Sequence, residues 1–479
     1  MSKTIQASQR WLALIILCLG DLMIVLDTTI VNVALPSIRT SLGFSATSLV
    51  WVVNAYMLTF GGFLLLGGRL GDLFGYRKLF LSGIGLFTLA SLLCGMAQSQ
   101  ELLIGARALQ GIGGAIVCAV ALSLIMNLFT EPSERAKAMG VFGFVSAGGG
   151  SIGVFLGGIL TNSLNWHWIF LVNLPIGMAV CALCLFFLPK DTVSSSSGRL
   201  DIWGSLTVTT SLMLAVYAIV NGNSVGWLST QTWGLFTISG MLLALFLYIE
   251  SKTHSPLIPL HLFKLRNIAV SNMVAVLWAA SMFAWFFISA LYLQSILKYS
   301  PLQVGLAFLP ANLIMGVFSL GISAKLVMKF GIRKTLALGL GLAGIGLLLL
   351  TRAPLNGQFI SDVLPCMSLL GLGAGIAFNP MLLAAMSDVP SDESGIASGI
   401  VNTSFMMGGA VGLAILASLA SAKTQRLLGV GVEQFSALNS GYHLAFFVGA
   451  LFAVLAGSLA AMFLRVSSLA SDPLNSNGH

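Results

Sequence analysis

Apolar runs of about 20 residues recur along almost the whole chain and are separated by short stretches that carry charges, Pro and Gly. A run of this length crosses a hydrocarbon core about 30 Å thick as an α-helix. The pattern predicts two sets of six membrane-spanning helices with one further pair between them. The runs lie near 12–35, 46–67, 79–97, 101–123, 138–161 and 166–188 in the first set, near 201–220 and 231–250 in the central pair, and near 269–297, 303–324, 335–351, 361–387, 394–419 and 443–465 in the second set.

The composition supports an all-α integral membrane protein with fourteen transmembrane helices. Of the 479 residues 57% are apolar and only 8% are charged, and the mean hydropathy is +0.97. Because charged residues make up about 25% of a typical soluble domain, these values exclude a water-soluble globule. The first apolar run is too long for a signal-peptide core and lacks a small-residue cleavage site, so we expect it to remain as a helix.

The distribution of Lys and Arg predicts the orientation of the chain. With the N-terminus inside the cell, 17 basic residues fall in cytoplasmic segments and 5 in external ones. This asymmetry follows the positive-inside rule and places both termini on the cytoplasmic side of the cell (inner or plasma) membrane. The net charge of +8 therefore reflects topology and not binding to nucleic acid. Omitting the central pair leaves every other loop on the same side, so charge leaves both fourteen and twelve spans open.

A weak internal repeat predicts two related halves. The segment GYRK at 75–78 recurs as GIRK at 331–334, an offset of 256 residues. At an offset of 259 residues, Glu134, Gly140, Gly149 and Gly153 recur as Glu393, Gly399, Gly408 and Gly412. Such parallel repeats are typical of transporters built from two six-helix halves. We therefore expect an N-terminal half at 1–190, a linker with the inserted pair at 191–267, a C-terminal half at 268–466 and a cytoplasmic tail at 467–479.

Three ionisable residues inside the predicted spans are candidates for function. A charged Asp at a helix centre costs about 2.5–3.5 kcal/mol on insertion scales, so we expect Asp27 to face a bundle interior or a wet cavity. Asp21 lies about 9 Å away along the helix and about 120° around it, so the two carboxyl groups are not expected to share a proton. Asp21 is either a second proton or cation site or a structural partner. Arg107, in the fourth span, should seek a carboxylate or backbone carbonyls.

Two glycine-rich segments predict close packing or tight turns. Gly149, Gly153 and Gly157 recur at every fourth residue, which lines one helix face with small residues and allows another helix to approach. Between the second and third spans, Gly68, Gly71 and Gly75 would allow turns, while Asp72 could pair with cations or with a helix N-terminus. The alternative is a solvated loop in which Arg77 and Lys78 only fix the topology.

These segments together resemble a known family. LDTTIVNVALP from Leu26, GRLGDLFGYRK from Gly68, RALQGIGGA from Arg107 and the glycine run ending at Gly158 are similar to motifs of the major facilitator superfamily. The central pair and NWHWIFLVNLPIG from Asn165 resemble its fourteen-span drug:proton antiporter branch. The resemblance covers essentially the whole chain. It implies a rocker-switch transporter with a central cavity between two pseudo-symmetric halves.

The resemblance also implies roles for particular residues. It implies a cytoplasmic gate of Gly68, Gly71, Asp72, Gly75, Arg77 and Lys78, proton coupling through Asp27, Asp21 and Arg107, and antiporter-motif helix packing at Gly149, Gly153, Gly157 and Gly158. The chain departs from the family pattern at Val154, where a proline is frequent, and at Met328, which stands at the repeat position of Asp72.

We therefore expect proton-coupled multidrug efflux by alternating access. Burial favours the neutral form of a carboxyl group and a nearby cation favours its charged form, so Asp27 would bind a proton or a lipophilic cationic substrate in turn. Export of a specific metabolite such as a siderophore, amino acid or lipid, and proton-coupled uptake, remain alternatives. Without a Walker loop, a metal-spaced His cluster or a catalytic triad pattern, no enzyme and no cofactor beyond the coupling proton are expected. A small molecule and the lipid bilayer are the expected partners; the sequence is compatible with a monomer and identifies no accessory export protein.

Aromatic and polar residues in both halves are candidates for substrate contact, because such walls suit lipophilic cations of several shapes. The alternative is that they pack helices or form interfacial belts. The candidates are Trp51, Asn54, Tyr56 and Gln110 in the first half, and Trp278, Trp285, Phe286, Tyr292, Gln294, Asn379 and Phe405 in the second.

Overall fold

The computed structural model describes residues 7–129, 131–188, 201–253, 256–389 and 393–465. Across these ranges the regular structure is helical, and they contain no β-strand. The helices are α1 (Ala7–Leu42), α2 (Trp51–Phe74), α3 (Tyr76–Gly95), α4 (Gln100–Leu128), α5 (Pro132–Ser163), α6 (Trp168–Leu171), α7 (Asn173–Phe187), α8 (Ile202–Val225), α9 (Thr230–Lys252), α10 (Arg266–Leu291), α11 (Pro301–Val317), α12 (Ser323–Leu350), α13 (Leu364–Met386), α14 (Ser394–Gly429) and α15 (Gln434–Phe463).

The fourteen predicted spans are all present as helices. Twelve helical segments are long and apolar enough to cross a membrane, and the remaining two positions hold the shorter apolar segments Ile152–Ser163 and Pro301–Val317. The sixth span is α6 and α7 together, interrupted at Val172. Helices satisfy their own backbone groups, which is why they can occupy a hydrocarbon core. The predicted fold class is therefore confirmed.

The helices pack as two sets of six with α8 and α9 inserted between them. In the first set α1 packs on α5, and α4 packs on α2 and α3; in the second set α10 packs on α14, and α12 packs on α13 and α15. The two sets meet where α2 contacts α14 and where α5 contacts α11. Helices α8 and α9 pack on each other, and α8 also contacts both α2 and α14.

The GYRK and GIRK repeats adopt the same backbone turn in the two halves. Gly75 has φ of 93° and ends α2, and Gly331 has φ of 79° inside the segment assigned to α12. This left-handed region favours glycine, so both repeats need glycine at that position. The predicted loop from Gly68 onward is wrong, because α2 continues to Phe74 and only Gly75 breaks the helix. Similarly, the helix that begins as α11 continues through a π turn at Phe318–Ile322 and changes direction only at Gly331.

The proposed domain boundaries at 190/191 and 466/467 lie outside the described residues. They therefore stay predictions.

Candidate functional site

Asp27 lies in the interior of the first half, at the centre of a hydrogen-bond network. Its side chain is 0% exposed. Oδ2 accepts a hydrogen bond from Arg107 Nη1 at 2.5 Å, and Oδ1 accepts from Gln110 Nε2 at 2.6 Å and from Asn173 Nδ2 at 2.9 Å. Three donors from α4 and α7 thus hold the carboxylate of α1. A buried charge is tolerated when it is paired and hydrogen-bonded in this way.

Arg107 is held as firmly as the carboxylate it pairs with. Its Nε donates to the backbone carbonyl of Val52 at 2.9 Å, and its Nη1 also donates to Gln110 Oε1 at 2.6 Å. The guanidinium carbon lies 4.4 Å from the centre of the Tyr56 ring and 5.7 Å from that of Phe170. Aromatic faces stabilise a cation at such distances. The side chain is 1% exposed, so the pair has almost no access to solvent in this conformation.

A second layer of polar side chains orients the amides around Asp27. Ser91 Oγ accepts from Gln110 Nε2 at 2.8 Å and from Asn173 Nδ2 at 3.4 Å, and it donates to the carbonyl of Phe87 at 2.8 Å. Cys94 Sγ lies 3.7 Å from Gln110 Oε1. Because each amide nitrogen donates to both Asp27 and Ser91, the amides have little freedom to turn away.

The sequence predicted some members of this network and missed others. Arg107 pairs with a carboxylate as expected, and Gln110 lies three residues along α4 on the same face. Asn173 and Ser91 were not predicted. Asn173 lies inside the quoted NWHWIFLVNLPIG segment, and its amide in an otherwise apolar run was a usable signal. Ser91 is one of three hydroxyl residues in the third span, with Ser82 and Thr88, and nothing in the sequence distinguishes it from them.

Asp21 lies apart from this network although it is also buried. None of the hydrogen bonds to the Asp27 carboxylate in the described part of the chain involves Asp21. The expectation that the two carboxyl groups do not share a proton agrees with this arrangement.

The predicted gate residues surround the Gly75 turn. A methyl group on Gly71 would lie 2.6 Å from the Tyr76 ring, so this glycine lets the ring fold over the end of α2, whereas Gly68 has open space around it. Arg77 Nη2 donates to the carbonyl of Leu185 in α7 at 2.6 Å. The turn is therefore fastened to its own half here. The side chain of Asp72 lies outside the described residues.

The glycines of α5 bring it against α1. Methyl groups on Gly153 and Gly157 would lie 2.9 Å from the carbonyl of Leu26 and 2.7 Å from that of Ile30, while Gly149 faces Leu22 and Val25. The neighbouring Gly158 faces the other half, 2.9 Å from the carbonyl of Pro301 by the same measure.

The second half repeats this contact at the matching glycines. Gly408 and Gly412 of α14 pack against Val276 and Ala280 of α10. The α5–α1 contact of the first half and the α14–α10 contact of the second are therefore built in the same way.

The candidate substrate residues do not gather in one place. Tyr56 and Gln110 belong to the Asp27 network. Two others join the halves: Asn54 Nδ2 donates to the carbonyl of Ala410 at 2.9 Å, and Gln294 Nε2 donates to the carbonyl of Val33 at 2.8 Å. Trp51 lies beside Tyr217 of the inserted helix α8, with ring centres 6.4 Å apart.

The remaining candidates lie within the second half. Trp285 packs on Phe286 at 4.4 Å between ring centres, and Phe405 contacts Phe283 and Phe378. The indole nitrogens of Trp278 and Trp285 are buried without a hydrogen-bond partner among the described residues. Tyr292 donates to the carbonyl of Pro354 at 2.7 Å, and Asn379 donates to that of Ser319 at 2.7 Å.

The arrangement holds a paired carboxylate and guanidinium in the interior of the first half. Asp27 and Arg107 neutralise each other, and a proton added to the carboxylate would leave the guanidinium without its counter-charge in a dry interior. The described residues contain no group of three or more His, Cys, Asp or Glu side chains that could hold a metal ion.

Known proteins resemble this chain over nearly its full length. The puromycin resistance protein pur8 of Streptomyces alboniger is 38% identical over 98% of this chain and 94% of its own length. The cephamycin export protein CmcT of Amycolatopsis lactamdurans is 35% identical over 88% of this chain and 87% of its own. The multidrug transporter protein MdtP of Bacillus subtilis (strain 168) is 32% identical over 89% and 78%.

A solved structure and a family model agree with these relatives. The crystal structure of an auto-inhibited peptide transporter of the POT family has the same fold, with a TM-score of 0.66 over 97% of this chain and 99% of that one, at 14% identity. The model of the Major Facilitator Superfamily matches residues 17–413. With its two six-helix halves and this match over most of its length, the chain belongs to the Major Facilitator Superfamily of membrane transporters.

Proposed function

We propose that this transporter exports lipophilic, cationic small molecules from the cell in exchange for protons. The single observation that carries the proposal is the buried pair of Asp27 and Arg107, which is the kind of group that a proton can switch. The relatives that are named for antibiotic resistance, cephamycin export and multidrug transport support the export of small molecules. The roles of Asp27, Arg107 and Asp21 in coupling belong to this proposal.

The contacts of Arg107 offer a path from the proton site to the other half. Arg107 binds the carbonyl of Val52 near the start of α2, and two residues further along α2 the amide of Asn54 binds Ala410 of α14. A proton on Asp27 would release the guanidinium from the carboxylate and change its hold on this end of α2. This path would couple the protonation state of Asp27 to the contact between the halves.

The orientation follows from the charge asymmetry. With both termini in the cytoplasm, the bonds Asn54–Ala410 and Gln294–Val33 lie toward the external side, where they hold the halves together. The described conformation is then closed to the outside. An inner or plasma membrane, with a potential of about 100 mV, supplies about 2.3 kcal/mol for each charge moved.

Proton release on substrate binding tests this mechanism. The protein is purified in a detergent solution with little buffer and is mixed with puromycin or with tetraphenylphosphonium. A pH-sensitive dye reports the protons that are released into the solution. We expect proton release from the unaltered protein and from Glu101→Gln, an exposed carboxylate at the start of α4, and none from Asp27→Asn. Asp27→Asn that still released protons would remove Asp27 from the mechanism.

Proteoliposomes separate export from its alternatives. When the interior of the vesicles is acidic, protons leave down their gradient. An antiporter then takes up puromycin or tetraphenylphosphonium from the medium, whereas a symporter carries the same compound out of the vesicles. A protein that moves neither cation under either gradient would favour export of a specific metabolite.

A further inference from the structure

Two carboxyl groups meet at one end of the inserted pair, far along the chain from Asp27. Asp201 caps the start of α8, where its Oδ1 accepts from the backbone N–H of Gly204 at 2.8 Å. Glu250 lies in the last turns of α9, and its Oε2 accepts from the N–H of Ile258 at 3.2 Å. The two carboxyl groups are within hydrogen-bonding reach of each other, and the residues are only 5% and 3% exposed.

Each of these carboxyl groups has one satisfied oxygen and one buried oxygen without a partner. The unsatisfied atoms are Asp201 Oδ2 and Glu250 Oε1. The backbone N–H of Leu257 also lies near the Glu250 carboxyl group. Two adjacent buried carboxylates would repel each other, and their lone pairs would lack the hydrogen bonds lost from water. A single proton solves both problems, because a protonated carboxyl group donates one O–H to the other.

No described counter-charge takes the place of that proton. Asp201 is the charged side chain that acts on Glu250. Lys252, two residues further along α9, is exposed, and His261 in the following segment faces Glu393 at 3.5 Å. The site is therefore suited to a proton and not to an ion pair.

The pair also holds a segment that touches both halves. The N–H that Glu250 binds belongs to Ile258, and Ile258 lines a small cavity together with Leu257. The other walls come from each neighbouring part of the molecule: Gly61, Gly62 and Leu65 of α2, Val208 of α8, Phe246 of α9, and Thr403 and Met407 of α14. The position of Glu250 therefore determines the position of Ile258, which lies where the inserted pair, α2 and α14 meet.

We propose that Asp201 and Glu250 bind one proton between them, at a site separate from Asp27, and that this proton fastens the inserted pair to the two halves. When the proton leaves, like charges push the carboxyl groups apart and Glu250 loses its hold on Ile258. The attachment of the inserted pair to α2 and α14 is therefore sensitive to pH. This inference does not depend on the direction of transport or on the substrate.

Infrared spectroscopy of the purified protein tests whether the proton is there. We expect a C=O stretching band of a buried protonated carboxyl group at neutral pH, which disappears as the pH is raised. Glu250→Gln and Asp201→Asn should each abolish it, whereas Asp27→Asn should keep it because Asp27 belongs to the separate network around Arg107. A band at neutral pH that neither Glu250→Gln nor Asp201→Asn reduces in a background that carries Asp21→Asn, or no band at any pH in the unaltered protein, would overturn the proposal.

Hydrogen exchange at Ile258 tests the attachment. After correction for the intrinsic pH dependence of exchange, protection of this amide should fall at high pH in the unaltered protein and in the control Glu101→Gln. Glu250→Gln should stay protected at every pH, because its amide can donate to Asp201 and still accept from Ile258. Asn is as good an N-cap as Asp, so Asp201→Asn keeps α8 intact and gives an independent second variant. Equal protection at low and high pH in the unaltered protein would refute the attachment.

Discussion

The pair of Asp27 and Arg107 predicts a strong and non-additive effect on stability. Arg107→Gln removes the hydrogen bond to Asp27 Oδ2 and, within the described part of the chain, the only counter-charge that contacts this carboxylate, while Gln110 and Asn173 remain on Oδ1. Breaking a fully buried pair from one side costs about 3–5 kcal/mol, because a buried charge is left uncompensated. Asp27→Asn strands the guanidinium in the same way and should cost a similar amount.

The double variant Asp27→Asn/Arg107→Gln removes both charges at once. Its amides can still bond to each other and to Gln110, so we expect it to lose less than the sum of the single variants. Residues in direct contact show interaction energies of about 0.5–3 kcal/mol in such cycles, and a buried ion pair should fall at the upper end.

The cycle is measured as the free energy of unfolding of the four proteins in mixed micelles with increasing denaturing detergent. A matched cycle on the partly exposed pair Arg10–Glu134, whose Nη1 and Oε2 atoms lie 2.9 Å apart, provides the control. Surface pairs contribute about 0–1 kcal/mol, so that cycle should show little coupling. If the losses for Asp27 and Arg107 simply add, the two side chains are not an energetic unit and the coupling path through Val52 fails.

Three further changes test other parts of the structure. Gly157→Val places a side chain against a backbone carbonyl of α1 that already lies 2.7 Å from a methyl at this position, so overpacking should cost about 1–3 kcal/mol, whereas Gly105→Ala, in open space, should cost little in the same unfolding assay. Asn54→Ala removes a buried hydrogen bond between the halves, worth about 1 kcal/mol. It should raise the population of the open conformation, which is measured from distances between spin labels on the two halves. An unchanged distance distribution would show that the Asn54–Ala410 bond does not hold the halves together. Glu433 caps α15, and the backbone N–H groups that it binds lower the pKa of its carboxyl group. The protection that this cap gives the first turn should therefore be full above the ordinary carboxyl pKa and be lost only as the pH falls through the lowered value. Hydrogen exchange of that turn at low pH checks this, with Glu433→Gln expected to be insensitive to pH.

Hydropathy, charge and repeated glycines were sufficient to predict the architecture. A chain in lipid must satisfy its backbone within each span, so apolar length alone predicts helices, and the matching turns at Gly75 and Gly331 could be found from the GYRK and GIRK repeat. The cost of burying a charge is sufficient to predict that Asp27 faces the interior of the helix bundle. Local sequence was less informative about where helices end, because Gly68 and Gly71 could equally form turns or continue α2, and packing against Tyr76 at the end of that helix settled it.

Only the tertiary structure decided which polar side chains meet. Asp27 and Asn173 are 146 residues apart, and Asp201 and Glu250 lie at opposite ends of two helices, so no local pattern links them. A single polar residue in an apolar helix shows that a partner is needed, since burial without one is costly, but helix periodicity fixes only its own face. The identity of the partner depends on how the faces of four helices are rotated against one another, and that rotation is set by close packing, such as the approach of α5 to α1 at Gly153.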